Sequence, residues 1–388
     1  MRIYFTGKLR GFFRYLIEDP PEEIEYIVDN NTIFFETNSK LKNFLRKIYV
    51  GKIGDSLGLI QRSKINFENY EVGFSYNRFL EVDKSYIITL ENPTALYHYS
   101  LNRKNTFLGK KKLKKYLMDK KLKAIIPISK ACQKTIPSLV NNEISSHILI
   151  RQIYPLIPLN KNVSEETVKN VLTRSKIHCL FISTAFALKS GYEIIEAFKK
   201  LDFNFFELTI ITPIKDLGED VKKVISGLKN VNVIEFNLNH DDLFDIYSKH
   251  DILLHPTRQD SFPLVILEAL KNGLAVLGTD LYGIKEMVND DYNGFLIRGK
   301  YQFYDENDIP NPSVWNKREQ TIYSSYIDEN IVIFLIEKLN MLNINREKLF
   351  ELRMNSYLKA STGEFSEAYI KECWKKLYRE IKRSNFNV

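Results

Sequence analysis

The sequence predicts an α/β fold of two doubly wound domains, each a parallel sheet covered by helices. Three observations lead there. At 388 residues and 44% hydrophobic, the chain is too long for one ordinary core and suits two domains of fewer than about 200 residues each. Short runs rich in β-branched and aromatic residues alternate with amphipathic stretches, the pattern of a parallel sheet flanked by helices. The alternation breaks at Tyr154-Pro155-Leu156-Ile157-Pro158-Leu159-Asn160 and then resumes, which puts a domain junction there.

In the first domain, residues 1–160, strands are expected at 2–6, 23–28, 72–76, 85–90, 123–128 and 146–153. The second domain, residues 161–364, has candidate strands at 177–183, 207–212, 232–236, 252–255 and 275–278. Its best-marked helices are 241–249 and 263–271, the latter stopped by Asn272-Gly273. A ligand of such a domain belongs in the crevice beyond the carboxyl ends of the strands. Residues 300–320 read as an irregular polar insertion. The terminal segment 365–388 opens with a helix over 365–381 that aligns Ile370, Cys373, Trp374, Leu377 and Ile381 on one face. It either crosses back to the first domain or closes the second as a terminal core helix.

Charged residues at 27% and aromatics at 13% exclude disordered and fibrous classes. Cys132, Cys179 and Cys373 lie too far apart for a disulfide framework or a zinc ligand set, so a reducing, cytoplasmic setting is expected. The N-terminal apolar run is too short for a signal peptide, and no run approaches the roughly 18 uncharged residues of a membrane span.

The net charge of +8 is concentrated: between Arg103 and Lys123 stand ten Lys or Arg and one acid, Asp119. Leu113, Tyr116 and Leu117, with Leu108 and Phe107, give this stretch helical periodicity. A weaker copy spans 40–52, with Leu41, Phe44, Leu45 and Ile48 on one face. Two readings stand for both: solvated lysines on surface helices, or contact with anionic headgroups on the inner face of the cell membrane at about 1 kcal/mol per lysine. Nucleic acid is not expected, because no recognised nucleic-acid module accompanies the patch.

The chemistry is carried by His255-Pro256-Thr257-Arg258-Gln259-Asp260-Ser261-Phe262-Pro263-Leu264-Val265-Ile266-Leu267-Glu268, which follows a buried strand and opens a helix. Pro263 at the first helical position has no amide to offer, but Leu264 and Val265 do, at the positive end of the helix dipole. A diphosphate fits there. Glu268 stands roughly 7 to 8 Å further along the axis, about one sugar away. Its carboxylate, in an otherwise apolar stretch, calls for a partner such as a ribose diol.

With seven residues between Asp260 and Glu268, the segment resembles the E-x7-E signature of the family 4 retaining glycosyltransferases, aspartate replacing the first glutamate. The resemblance extends over 242–297, through Glu268-Ala269-Leu270-Lys271-Asn272-Gly273, Gly283-Ile284-Lys285-Glu286-Met287-Val288 and Asn293-Gly294-Phe295-Leu296-Ile297. It implies a GT-B fold, two Rossmann-like domains facing each other across a cleft, the first binding acceptor and the second a UDP- or GDP-sugar donor, with no metal or other cofactor required. It further implies that Glu268 holds the ribose, that Asp260 faces the donor sugar, and that Ser261, Phe262 and the following amides meet sugar and diphosphate. A basic pair after the first strand of the domain would grip the diphosphate. Lys189 fits its second position, but Thr184 stands where arginine is usual, and Arg258 is expected to supply the missing charge.

In the first domain, Gly7 matches the remnant of the family's glycine-rich loop. Glu91, after the strand ending at Leu90, is either an acceptor-side acid or a plain helix N-terminal carboxylate. His98, between Tyr97 and Tyr99, reads as packing. The acids at 289–291 and 305–308 read as solvated loops rather than a metal site. The expected activity is hexosyl transfer, with retention, to a hydroxyl of a glycan or lipid-linked saccharide in bacterial-type surface polysaccharide synthesis. The alternatives are a non-catalytic GT-B partner subunit, favoured by Thr184 and Asp260, and a nucleotide-sugar epimerase of the same fold.

Overall fold

The computed structural model describes residues 1–6, 11–28, 51–140 and 144–386. Gly7 and most of the basic stretch 40–52 lie outside them. The chain divides into two compact units, Met1–Leu156 with Ala368–Val388, and Ile157–Glu367.

The first unit contains β1 (Arg2–Thr6), β2 (Glu25–Val28), β3 (Arg62–Lys64), β4 (Val72–Tyr76), β5 (Phe79–Glu81), β6 (Ser85–Leu90), β7 (Leu122–Pro127) and β8 (Leu149–Ile150). Six of these form a wholly parallel sheet in the order β2-β1-β4-β6-β7-β8, while β3 and β5 make a parallel pair of their own. The strands form where β-branched and aromatic residues can be buried on both faces: Ile3, Phe5, Val72, Phe74, Ile87 and Ile88 are all fully inaccessible. The expected strand over 146–153 shrinks to Leu149–Ile150. Arg151 and Ile153 still donate to the carbonyls of Ile125 and Pro127, but Pro127 has no amide to return. The C-terminal helix, Glu367–Phe386, buries Ile370, Trp374, Leu377, Tyr378 and Ile381. The Trp374 ring lies 5.7 Å from that of Phe74, and the Tyr378 hydroxyl meets that of Tyr26 at 2.8 Å.

The lysine-rich helix α1 (Phe107–Leu117) buries Leu113 and Leu117 as its periodicity predicts. Phe107 and Leu108 do not join that face: Phe107 is 80% exposed, because α1 begins there, capped by the Thr106 side chain. Nor does Arg103 belong to the surface patch. It is buried, bonded to Asp55 and to the Leu59 carbonyl.

The second unit contains β9 (Ile177–Ile182), β10 (Phe206–Thr212), β11 (Val231–Glu235), β12 (Ile252–His255), β13 (Ala275–Thr279) and β14 (Gly294–Ile297). All pair in parallel in the order β11-β10-β9-β12-β13-β14. Between and after them run α2 (Gly191–Lys200), α3 (His240–Ser248), α4 (Leu264–Lys271), α5 (Ile284–Met287), α6 (Glu329–Ile344) and α7 (Arg346–Ser361). Strand β14 has no alternating pattern, being an edge of four residues that opens on glycine. A Cβ at Gly294 would come 2.1 Å from the Val276 carbonyl oxygen, so only glycine allows the close pairing with β13. The start of β12 is fixed by buried Asp251, which accepts from Arg353 at 2.6 Å, Arg174 at 2.8 Å and the His178 amide at 2.9 Å.

Three histidines are held neutral inside the fold. Burial pushes His98 down to about 3 and lowers His250 and His255. His98 also accepts from the Gln61 amide at 2.9 Å, a bond that requires its lone pair. The unfolded chain takes up these protons near pH 6.5 while the folded chain does not, so the contribution is complete above about 6.5 and falls as pH drops toward the folded values. Each group adds a slope of up to about 1.4 kcal/mol per pH unit while it titrates. Thermal melts should therefore show Tm falling between pH 7.5 and 5; a flat profile would contradict the assignment.

Candidate functional site

In the second unit's own numbering the sheet runs 3-2-1-4-5-6, so the winding reverses between β9 and β12. A doubly wound sheet binds its ligand at that point, beyond the carboxyl ends of the strands. Two loops meet there, 183–190 after β9 and 256–263 after β12. The Arg258 amide donates to the Leu188 carbonyl at 3.0 Å, and the Lys189 ammonium donates to the Gln259 carbonyl at 2.6 Å and to Asp260 Oδ2 at 2.5 Å. Gly191 allows the first loop to turn: a Cβ there would lie 2.5 Å from the Phe186 ring.

Asp260 is the electrostatic centre of the junction. Burial alone would raise its carboxyl, but the Lys189 ammonium outweighs burial and holds it well below the usual carboxylate range. His255 Nε2 lies 3.6 Å from Asp260 Oδ2, beyond hydrogen-bond reach. Ser261 is fixed on three sides: its amide donates to Asp260 Oδ1 at 2.9 Å, its carbonyl accepts from the Gly283 amide at 3.1 Å, and its hydroxyl pairs with that of Tyr304 at 3.1 Å.

Helix α4 opens at Leu264, one residue later than expected. Pro263, with ψ of 115°, is the extended residue before it. Leu264 and Val265 then supply first-turn amides with no partner four residues back, while Phe262 and Pro263 are buried beneath them. On the same helix, Glu268 Oε2 accepts from the Tyr247 hydroxyl at 2.9 Å. Burial pushes the Glu268 carboxyl up, against the lowering effect of that bond. Tyr247, inaccessible on α3, was not singled out in the sequence; the signal is a tyrosine on the apolar face of the helix that leads into β12.

Lys189, Asp260, Ser261, Leu264, Val265 and Glu268 thus share one end of one sheet. Thr184 is exposed on the first loop. Arg258 is a correction: it is 6% exposed and its guanidinium is committed to Glu193 at 2.6 Å and to the carbonyls of Tyr326 at 2.7 Å and Ser324 at 3.0 Å. It braces the loop rather than offering a cation to a ligand. Glu193 itself is an acid within an apolar helix face, with no motif around it to mark its role. Glu91 lies in the first unit beyond β6, where it accepts from the hydroxyls of Tyr76 and Tyr99. Asp305 and Asp308 are not loosely solvated: Asp305 caps the amides of Asn307 and Ile309, each at 2.9 Å, and Asp308 pairs with Lys285 at 2.8 Å.

Residues 176–305 match the family model for glycosyl transferases group 1. Across 98% of this chain and 100% of the other, the fold superposes on Anabaena HepE, solved with UDP, at a TM-score of 0.61 and 13% identity. The chain has the GT-B fold, and its residues 176–305 resemble the group 1 glycosyl transferases. A second GT-B structure, WaaG, a glycosyltransferase involved in lipopolysaccharide biosynthesis, superposes at a TM-score of 0.56 with 14% identity over 96% of this chain and 98% of its own. Among curated proteins, an uncharacterised 41.2 kDa protein from the cps region of Klebsiella pneumoniae is 26% identical over 38% of this chain and 41% of its own length. The matches with the first curated relatives span less than half of those proteins. The residues matched to the group 1 model begin one residue before β9 and continue past β14, so they take in both loops of the junction.

Proposed function

We propose that the protein transfers a hexose from a nucleoside diphosphate sugar, with retention, to a hydroxyl of a glycan or lipid-linked saccharide in the synthesis of a cell-surface polysaccharide. The observation that carries this is the half-buried Glu268 carboxylate, held by Tyr247 one turn beyond the open amides of α4. Glu268 takes the ribose diol, the amides of Leu264 and Val265 take the diphosphate, and uridine is the favoured base because HepE is solved with UDP and with UDP-glucose. Phosphate entry draws the Lys189 ammonium from Asp260, which frees that carboxylate to face the donor sugar beside Ser261 and Phe262.

The bond from the anomeric carbon to the diphosphate oxygen breaks while the acceptor oxygen bonds to the same face of that carbon. The acceptor proton passes to the departing phosphate oxygen. Lys189 and the helix amides stabilise the charge that develops there, and positioning supplies most of the rest. The scheme calls on no metal. Glu91, between two tyrosine hydroxyls, is assigned to the acceptor side.

A thermal-shift screen of UDP, GDP and their sugars tests the reading. A true donor at 100 times its Kd should add about 2.7 kcal/mol; no stabilisation by any of them would remove it. Thr184 in place of arginine favours a second reading, a non-catalytic GT-B subunit, which predicts donor binding without slow release of nucleotide.

The acceptor is assigned to a membrane surface on the cytoplasmic side. Phe107, Leu108 and Met118 stand exposed on and beside α1 among its lysines, with Ile53 and Leu57 exposed nearby and Lys112 bonded to the Leu57 carbonyl. Vesicles of phosphatidylcholine with phosphatidylglycerol should co-sediment the protein at low salt and release it at high salt. Equal behaviour toward neutral vesicles would count against anionic recognition.

A further inference from the structure

Residues 300–320 read in the sequence only as a polar insertion, yet the segment between β14 and α6 is built and anchored. Residues 303–311 form a small hairpin, Asp305 accepting in its turn and the Asn311 amide donating to the Phe303 carbonyl at 3.0 Å. Inside, Phe303 stacks on Trp315 with ring centroids 4.4 Å apart. Lys285 ties the hairpin to α5 through Asp308.

Its contacts with the junction are concentrated on one loop. Arg258 donates to carbonyls at 322, 324 and 326, Gln259 accepts from the Tyr323 hydroxyl at 3.3 Å, and Ser261 pairs with Tyr304. Three side chains of the 256–263 loop are thereby wired to a segment that makes no part of the sheet. Tyr304 is the member that meets the Ser261 hydroxyl, at 3.1 Å. Its ring stacks on Tyr282 at 4.3 Å, and Tyr282 is held with φ of 43°, a left-handed conformation costly for such a residue. The Gly283 amide that follows bonds the Ser261 carbonyl. Ser261 is thus gripped by the insertion from its hydroxyl and by the 281–283 turn from its backbone, while its neighbour Asp260 answers to Lys189.

We propose that the segment 300–328 selects the donor sugar, with Tyr304 as the positioning residue that fixes the Ser261 hydroxyl toward the sugar ring. The inference rests on the donor reading given above. Ser261 lies at the sugar end of the loop, ahead of the amides assigned to diphosphate and of Glu268. Loss of the Tyr304 hydroxyl should therefore affect ligands that carry a sugar and leave the bare nucleotide alone.

Calorimetry with UDP, UDP-glucose, UDP-galactose and UDP-N-acetylglucosamine, on wild type, Tyr304→Phe, Ser261→Ala and the double variant, tests it. Phenylalanine keeps the ring stack on Tyr282. The expected result is an unchanged Kd for UDP and a change of about three- to tenfold in the preferred sugar's affinity relative to the others, the worth of one hydrogen bond. Because Tyr304 acts through Ser261, Tyr304→Phe should add nothing in the Ser261→Ala background, a result that mere loosening of the loop would not give. Should Tyr304→Phe fail to fold, Ser261→Ala alone must still shift the sugar ratio and spare UDP. Wild-type ratios in these variants would overturn the inference and leave the donor reading intact. Wild type that binds none of the four ligands would overturn both.

Discussion

Glu268→Gln should fold at least as stably as the wild type at neutral pH and lose most of its affinity for the nucleotide. Burial raises the carboxyl in the folded chain, so its ionised form costs stability that the unfolded chain does not lose. The sign follows: relative to an ordinary glutamate the fold is favoured below about pH 4.5 and penalised as pH rises through the higher folded value. Glutamine removes the charge and keeps an oxygen to accept from Tyr247, now 2.9 Å from Glu268. A ribose diol needs two acceptors, and bonds to a charged group are worth about 1.5 to 3 kcal/mol each. Losing one of them costs about 2 kcal/mol, some thirtyfold in Kd. The two measurements are a thermal melt without ligand and calorimetry with UDP. A lower Tm with unchanged Kd would mark Glu268 as a structural acid of α4.

That Glu268 is legible in the sequence at all reflects how local the information is. Strands β1, β4, β6 and β12 have the bounds their patterns predict because each is a short β-prone run whose central residues are buried on both faces. The junction after β12 is legible for the same reason: strand end, loop, proline and helix start are contiguous, and Glu268 follows from the helical rise. What escaped is non-local or unpatterned. Tyr247 reaches Glu268 from another helix, and β14 is too short to alternate. The insertion is polar in composition, so nothing in it announces the Phe303–Trp315 stack or the Tyr304–Ser261 bond. Arg258 shows the limit most clearly. Its place in the loop fits a phosphate ligand, and only the fold reveals the acid that claims it.

That acid sets the second large effect: Arg258→Ala should destabilise the protein by about 3 to 5 kcal/mol. Glu193, fully inaccessible in the first turn of α2, accepts from Arg258 at 2.6 Å and from the Asp328 amide at 3.2 Å. Removing the guanidinium leaves a buried carboxylate with one backbone donor, and strands the carbonyls at 324 and 326. The Tyr326 ring, 4.5 Å from the guanidinium carbon, loses its cation as well. Since the damage comes chiefly from the orphaned charge, Arg258→Met combined with Glu193→Leu should recover about 2 kcal/mol of it, because an apolar pair of similar volume often replaces a buried ion pair without loss. Arg258→Lys should fall between, since a single ammonium cannot fork across acid and carbonyls. Urea melts of wild type, Arg258→Met, Glu193→Leu and the double variant give the coupling, with Arg258→Ala and Arg258→Lys measured beside them. A stable Arg258→Ala variant that binds donor and fails only in turnover would return Arg258 to the diphosphate; an unstable one, rescued when Glu193 is also made apolar, leaves Lys189 as the cation assigned to that charge.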